Sequence, residues 1–382
     1  MTDNRYRRLP VGIQSFKVIR EENYLYVDKS DIVWNMVNLG DKYNYLSRPR
    51  RFGKSVLVDT LESYLEGRKD LFEGLKIMQM EKDWKHYPVI RLDMSRGGAS
   101  EDTLRSYLNL RFKDYEEKYN ITPDPTAMLA DRFHAIIATA YKQTGLRVAV
   151  LIDEYDSPLQ HSWRTPEHEK CTGVYREVFA ILKADDEYEH FVFITGITKF
   201  TQISLFSVLN NLSNISFTPE YAAICGITEE EIEENFMPEI RQMSEANNWS
   251  LQETHDRLKA YYDGYHFSHR NMVDVYNPYS LVNALKSKEI INFWASSGAT
   301  SLLPKFVDNA ELRMKSFENC RIMRNTLELS DVSGGGAELF LYQSGYLTIK
   351  DSDEFGYILG FPNEEVKQAL YEYYGEDLTA GR

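Results

Sequence analysis

The sequence predicts an α/β protein: a doubly wound parallel sheet followed by a mostly helical, winged-helix-like C-terminal appendage. Three observations predict it. Four apolar runs, Tyr43–Leu46, Tyr87–Asp93, Arg147–Asp153 and His190–Thr198, alternate with stretches of helical spacing. Each run closes abruptly on polar residues, as buried parallel strands do when their carboxyl ends carry function. After about residue 216 the pattern changes to helices and then to two late β runs, Leu339–Lys350 and Phe355–Gly360, which read as a hairpin.

The first run leads into Arg48-Pro-Arg-Arg-Phe-Gly-Lys-Ser55, and a helical run follows over Val56–Glu66. Strand, loop and helix in that order are the context of a phosphate-binding P-loop. The candidate cradle is Arg48, Pro49, Arg50, Arg51, Phe52, Gly53, Lys54, Ser55 and Val56. Its backbone N–H groups and the new helix N-terminus would face phosphate. Lys54 would reach the β- and γ-phosphates, and Ser55 would ligate Mg2+. The general pattern has Gly where this chain has Arg48.

The third run ends in Asp153-Glu154. In P-loop proteins the first carboxylate holds Mg2+, and a neighbouring Glu is suited to orient or deprotonate the attacking water. A core strand ending in a solvated acidic turn is the plain alternative. The fourth run ends in Thr195-Gly-Ile-Thr198-Lys199. Thr195, Thr198 and Lys199 are candidates to contact the γ-phosphate or its water; the alternative is a Thr-Gly turn that only ends the strand. Asp156 either supports the Mg2+ site or turns the chain.

The segments between follow from local rules. Tyr24–Asp28 alternates like a short strand, and Ser30 is placed to cap a helix over Asp31–Val37. Phe16, Ile19 and Tyr26 are either adenine contacts or core. Leu104, Leu108 and Phe112 keep helical spacing, as do Phe133, Ile136, Ile137 and Tyr141, and Asn120–Pro125 breaks the two runs. Thr228-Glu-Glu-Glu231 is a capping box, and a helix is expected over Leu251–Tyr262. Tyr276-Asn-Pro-Tyr-Ser280 turns into a helix near Leu281–Leu285. Ser333–Ala337 reads as a flexible loop, and His266 and His269 as structural or surface histidines rather than zinc ligands. The expected division is a core over 1–215 and an appendage over 216–382.

These residues together resemble the AAA-ATPase-like family, P-loop proteins usually followed by a PD-(D/E)XK nuclease-like domain. The resemblance is carried by Leu9–Phe16, Tyr26–Ser30, Arg48–Ser55, Leu151–Asp156, Thr195–Phe200, Leu205–Leu212, Tyr261–Phe267, Tyr276–Ser280 and Tyr342–Leu347, and covers residues 8–365. It accounts for Arg48, because the family's loop resembles Arg-Pro-Arg-Arg-Phe-Gly-Lys-Ser. It implies ATP as substrate and a switch or motor coupled to nucleic-acid processing or defence. The alternative is a nucleotide-gated DNA- or protein-binding module with little hydrolysis. Glu365-Val-Lys367 has the nuclease spelling, but Glu364–Tyr374 looks helical where that nuclease needs a strand, so the nuclease domain is expected to be absent.

Composition narrows the partners. Of 382 residues, 43% are hydrophobic and 27% charged, which predicts a globular chain. The net charge of −14 argues against broad nonspecific nucleic-acid binding, which needs a positive field, but leaves room for a local basic patch. A DNA or protein partner through the appendage and a second copy of the chain stay open as partners. The 26 tyrosines are read mainly as half-buried packing residues. No apolar run reaches about 18 residues, so no membrane-spanning helix is expected. The N-terminus lacks a signal-peptide core, and three scattered cysteines form neither a zinc pattern nor a disulfide framework. A cytoplasmic location is expected.

Overall fold

A computed structural model describes residues 8–124, 126–200, 212–296, 303–307, 317–330 and 336–374. Two compact units are distinguished. One is built from Val33–Ser47 and Val58–Ile215; the other from Met1–Ile32, Arg48–Leu57 and Ser216–Arg382. Strands are numbered β1 to β8 in chain order.

The first unit is a five-stranded parallel sheet. Its strands are β1 (Tyr43–Ser47), β2 (Val89–Asp93), β3 (Val148–Asp153), β4 (Glu189–Gly196) and β5 (Ser213–Asn214), in the order β2-β3-β4-β1-β5. The four long strands are the four apolar runs. All six residues of β3 are buried, the signature of a strand covered on both faces. The register sets Leu46 beside Thr195 and Asp93 beside Asp153, so the carboxyl ends of these strands share one edge. Helices Glu101–Lys118, Leu129–Thr144 and Glu167–Phe179 belong to the same unit. Ser100 and Thr103 form a capping box on the first, and Gly145 ends the second in a left-handed conformation. Phe112 and Phe133 stack between these two helices with ring centroids 5.2 Å apart.

The second unit is mostly helical with a small antiparallel sheet. Glu229–Asn235, Met237–Asn247, Leu251–Tyr262 and Pro278–Ser287 are helices around a core that includes Phe236, Ile240, Leu258, Tyr262 and Leu281. Leu9, Val11, Leu25 and Val27 pack against that core, which joins the N-terminal segment to it. Lys29 fastens the join. Its ammonium meets Glu231 at 2.6 Å and the Ala223 carbonyl at 2.7 Å. Glu231 is also the capping-box acid, and accepts from the Thr228 N–H. The small sheet has the order β6 (Cys320–Met323), β8 (Gly356–Gly360), β7 (Thr348–Asp353).

Four local expectations change. Tyr24–Asp28 forms a single bridge, Tyr24 to Arg8, rather than a strand. Ser30 is the first residue of the helix Ser30–Asn38 rather than its cap, and its N–H donates to Asp28 at 2.9 Å. Leu339–Ser344 belongs to a helix, Gly336–Ser344, and the strand begins only at Thr348. That helix is buried all round, so its sequence has no periodicity to set it apart from a buried strand. Gly336 and Ala337, expected in a loop, open it; Ser333, Gly334 and Gly335 lie outside the described residues, as does most of Leu205–Leu212.

Glu365 and Lys367 sit on the helix Glu364–Tyr374. Glu365 is fully buried and its carboxylate accepts the N–H groups of Phe293 and Trp294 at 2.8 and 2.9 Å, capping the turn Phe293–Ser296. Lys367 pairs elsewhere, with Glu318 at 2.8 Å. Burial pushes the Glu365 carboxyl up to about 7. A raised folded-state value favours the protonated form, so this contribution to stability is complete below the ordinary carboxyl value and is lost as pH rises through about 7. Glu189, at about 8, and Asp263, at about 7, tilt the same way. Urea unfolding is expected to show the wild type weakening from pH 5 to pH 8. Glu365→Gln should remove on the order of 3 kcal/mol of that decline; an unchanged slope would refute the assignment.

Candidate functional site

The phosphate loop leaves β1 at Ser47 and turns through Arg50 and Arg51 into the helix Lys54–Leu65. Arg51 and Gly53 both take positive φ, 69° and 85°. Gly53 accepts this without strain, and its carbonyl receives the first helical bond, from Leu57 at 3.0 Å. The N–H groups of the next residues therefore occupy the first helical turn, at the positive end of the helix dipole. Lys54 is buried, and its ammonium curls back onto the loop, donating to the carbonyls of Arg48 and Pro49 at 3.0 and 2.9 Å.

Three further loop side chains, Arg48, Phe52 and Arg51, are anchored by later parts of the same unit. The Arg48 guanidinium is fully buried. It donates to the carbonyls of Ser216 and Tyr221, both at 2.9 Å, and lies 4.1 Å from the centre of the Phe267 ring. Its charge is thus committed to protein carbonyls and an aromatic face, and it ties the loop down instead of offering a cation to phosphate. Phe52 is buried edge-on against Tyr265 and Phe267, with centroids 4.7 and 5.4 Å away. Of Phe52, the backbone is what a phosphate can meet. Arg51 lies over the Tyr279 ring at 4.8 Å.

The carboxylate edge belongs to the parallel-sheet unit. Asp153 ends β3 and is buried; its Oδ1 accepts the Glu154 N–H at 2.9 Å. Glu154 stands in the left-handed region, with φ 46°, so the backbone breaks from the strand at that residue. Thr195 is buried and donates its hydroxyl to the Leu46 carbonyl at 2.8 Å, bridging β4 to β1. Its proton is engaged in the sheet and does not point to a phosphate oxygen. Thr198 is engaged as well, by Asp156, and Lys199 is buried in the same turn.

Asp156 is the residue whose part the sequence left open. One of its oxygens accepts the N–H groups of Ile197 and Thr198, at 3.0 and 2.6 Å, and the Thr198 hydroxyl at 2.6 Å. Gln160 Nε2 donates to the same oxygen. Asp156 therefore turns and fixes the chain after β4. Tyr155 completes this brace. Its hydroxyl donates to the Thr198 carbonyl at 2.9 Å and accepts from the Phe200 N–H at 3.0 Å, while the Tyr45 hydroxyl donates to the same Thr198 carbonyl at 3.2 Å. Tyr45 and Tyr155 meet edge to face at 5.6 Å. Burial, with the Asp156 charge nearby, pushes both phenols well above their ordinary value, so both stay protonated as donors. Nothing in the spacing pointed to Tyr155; a tyrosine directly after two carboxylates was the one available signal.

Two further expectations resolve. Phe16 and Ile19 are buried, and Phe16 meets Tyr26 edge-on at 5.0 Å, so these residues are core. His266 and His269 lie in a loop and have separate partners. His266 bonds Asp274 at 2.7 Å and the Ile349 carbonyl at 3.0 Å, and His269 bonds the Tyr357 hydroxyl at 3.0 Å. Among the described residues, no group of three acidic, histidine or cysteine side chains is disposed to hold a metal, and no helix is long and apolar enough to cross a membrane.

A parallel sheet in this order, whose strand β1 runs into a Gly-Lys-Ser turn and a helix, defines a P-loop nucleotide-binding fold. Comparison with known proteins gives the family. A family model described as a predicted AAA-ATPase, AAA-ATPase-like, matches residues 10–206. A protein of Azotobacter chroococcum mcd 1, described as an uncharacterized protein in the vnfD 5' region, is 33% identical over 376 residues, covering 96% of this chain and 69% of the relative. The chain belongs to the AAA-ATPase-like family. Among solved structures, the crystal structure of Cdc6p from Pyrobaculum aerophilum spans 100% of this chain and 97% of its own at 10% identity; its TM-score of 0.27 is too low to carry an argument.

Proposed function

We propose that the protein binds Mg2+–ATP and hydrolyses it, with water attacking the γ-phosphate in line. The observation that carries this reading is the loop: a Gly53 turn delivers a helix N-terminus, and the Lys54 ammonium rests on two main-chain carbonyls of the same loop. A phosphate competes well with neutral carbonyls for an ammonium, because the bond becomes an ion pair. In this reading Lys54 neutralises phosphate charge, and the loop from Arg48 to Val56 supplies the cradle by its backbone. Lys199 and the Arg50 side chain are additional cations for the phosphates. Thr195, bound to the sheet, acts by holding the edge.

Mg2+ is the ion this reading calls for. Asp153 is a buried carboxylate at a strand exit and Ser55 a hydroxyl in the first helical turn, the oxygen types this ion takes. Bound there, Mg2+ would draw charge from the phosphate oxygens. Glu154 orients the attacking water and accepts its proton.

The test is phosphate release from Mg2+–ATP by the intact chain and by Glu154→Gln, with nucleotide binding followed in parallel. The expected result is that the variant binds ATP within about threefold of the wild type but releases phosphate roughly 100-fold more slowly, the usual weight of a positioned general base. Binding by both with turnover by neither would favour a nucleotide-gated module that presents its second half to DNA or a protein. A folded wild type that binds no nucleotide would overturn the proposal.

A further inference from the structure

Three sequence motifs of the second half have no part in the chemistry above: Tyr261–Phe267, Tyr276–Ser280 and Tyr342–Leu347. All three meet on the phosphate loop. Phe267 takes the Arg48 guanidinium on its face, and Tyr265 with Phe267 brackets Phe52. Tyr279 lies under Arg51. Gly345, at φ 91°, comes so close to Pro49 that a Cβ there would stand 2.7 Å from the proline Cβ. Four of the five consecutive loop positions 48–52, namely Arg48, Pro49, Arg51 and Phe52, are thus each seated on a residue 210 or more positions later in the chain.

The spacing of these contacts has a physical purpose. A loop that turns through two positive-φ residues has many alternatives, and Arg51 in particular is not a residue that holds that conformation unaided. Side-chain anchors on both sides of Arg50 select one conformation of the loop backbone. We propose that Tyr265, Phe267, Tyr279 and Gly345 form a clamp that positions the phosphate loop for the phosphate groups of a nucleoside triphosphate, so that the second half of the chain is part of the nucleotide site. This rests on the nucleotide-binding reading given above. Linkage makes the relation reciprocal: if the clamp raises affinity for the nucleotide, the nucleotide stabilises the clamp by the same factor.

The experiment uses the full chain and Mg2+–ATP as the probe, with affinity read by calorimetry and loop order by amide hydrogen exchange. Gly345→Ala presses on Pro49. Gly226→Ala is the matched control: φ is 102° and the new Cβ stands 2.8 Å from Val275, but its nearest neighbours include no loop residue. Gly345→Ala is expected to weaken Mg2+–ATP about tenfold, within the usual range of coupling between sites, and Gly226→Ala less than threefold, at comparable loss of thermal midpoint. Tyr279→Leu should weaken binding about fivefold while Tyr279→Phe, which keeps the ring under Arg51, restores it. Without nucleotide, the amides of residues 50–54 should exchange faster in Gly345→Ala than in Gly226→Ala. Adding Mg2+–ATP to the wild type should slow exchange across residues 261–280.

Wild-type binding with equal effects of Gly345→Ala and Gly226→Ala would overturn the clamp and leave the nucleotide reading standing. Loop exchange that is the same in both glycine variants would overturn it independently of any ligand. Absence of binding by the wild type, with loop exchange still faster in Gly345→Ala, would overturn the nucleotide reading and, with it, the clamp's assignment to a nucleotide site.

Discussion

Lys54→Ala is expected to lower affinity for Mg2+–ATP at least about 100-fold, a change near 3 kcal/mol, while leaving the fold intact. The two halves of that statement have separate causes. The ammonium rests on the loop's own carbonyls, which is where it must be to meet a phosphate that displaces them. Its removal takes away a charge-assisted bond made to the ligand. For the protein without nucleotide a smaller loss is expected, because the bonds of a buried ammonium are set against the cost of desolvating it. Calorimetric titration with urea unfolding on the same preparation checks both parts. An unfolded variant, or one that binds like the wild type, would count against this account of Lys54.

Asp156→Ala is expected to do the reverse, removing stability first. One buried carboxylate oxygen accepts four donors, from Ile197, Thr198 twice and Gln160. Truncation leaves buried donors unpaired, at about 1–3 kcal/mol each, so a loss on the order of 4 kcal/mol is expected. Because the donors are on the turn after β4, the damage should appear first as faster amide exchange at residues 196–198. Asp156→Asn keeps an acceptor oxygen and should lie between the alanine variant and wild type. A change below 1 kcal/mol in the alanine variant would remove Asp156 from the structural brace.

The contrast between these two residues shows where the sequence was legible. Lys54 is legible from the stretch Arg48–Ser55 and its flanks, because a phosphate loop is a local device: strand, turn, glycine, helix. The four long strands were equally legible, since burial on both faces forces unbroken apolar runs with abrupt ends. The capping box at Thr228–Glu231 was legible for the same local reason. Asp156 was not, since its donors lie four and about forty positions away. Leu339–Ser344, part of a helix, reads as strand in the sequence because a segment buried on every side has no period to report. The two-residue β5 was too short to leave a pattern, and strand order cannot be read from strands one at a time. Arg48 is the instructive case. The sequence placed it correctly in the loop, but its burial beneath Phe267 depends on carbonyls 168 and 173 residues further on.

Those separations bear on synthesis. β1 and the loop emerge early from the ribosome, yet β1 acquires its β4 neighbour 149 residues later, and Gly345 arrives almost 300 residues after Pro49. At roughly 5–20 residues per second, a nascent chain exposes the Gly-Lys-Ser segment for about 15–60 s before its last anchor exists. Pairings this remote also slow folding, because chain entropy is lost before the contacts that offset it are made. A ribosome-bound chain halted near residue 330 would carry every residue of the phosphate motif and still lack the seat on which Pro49 rests.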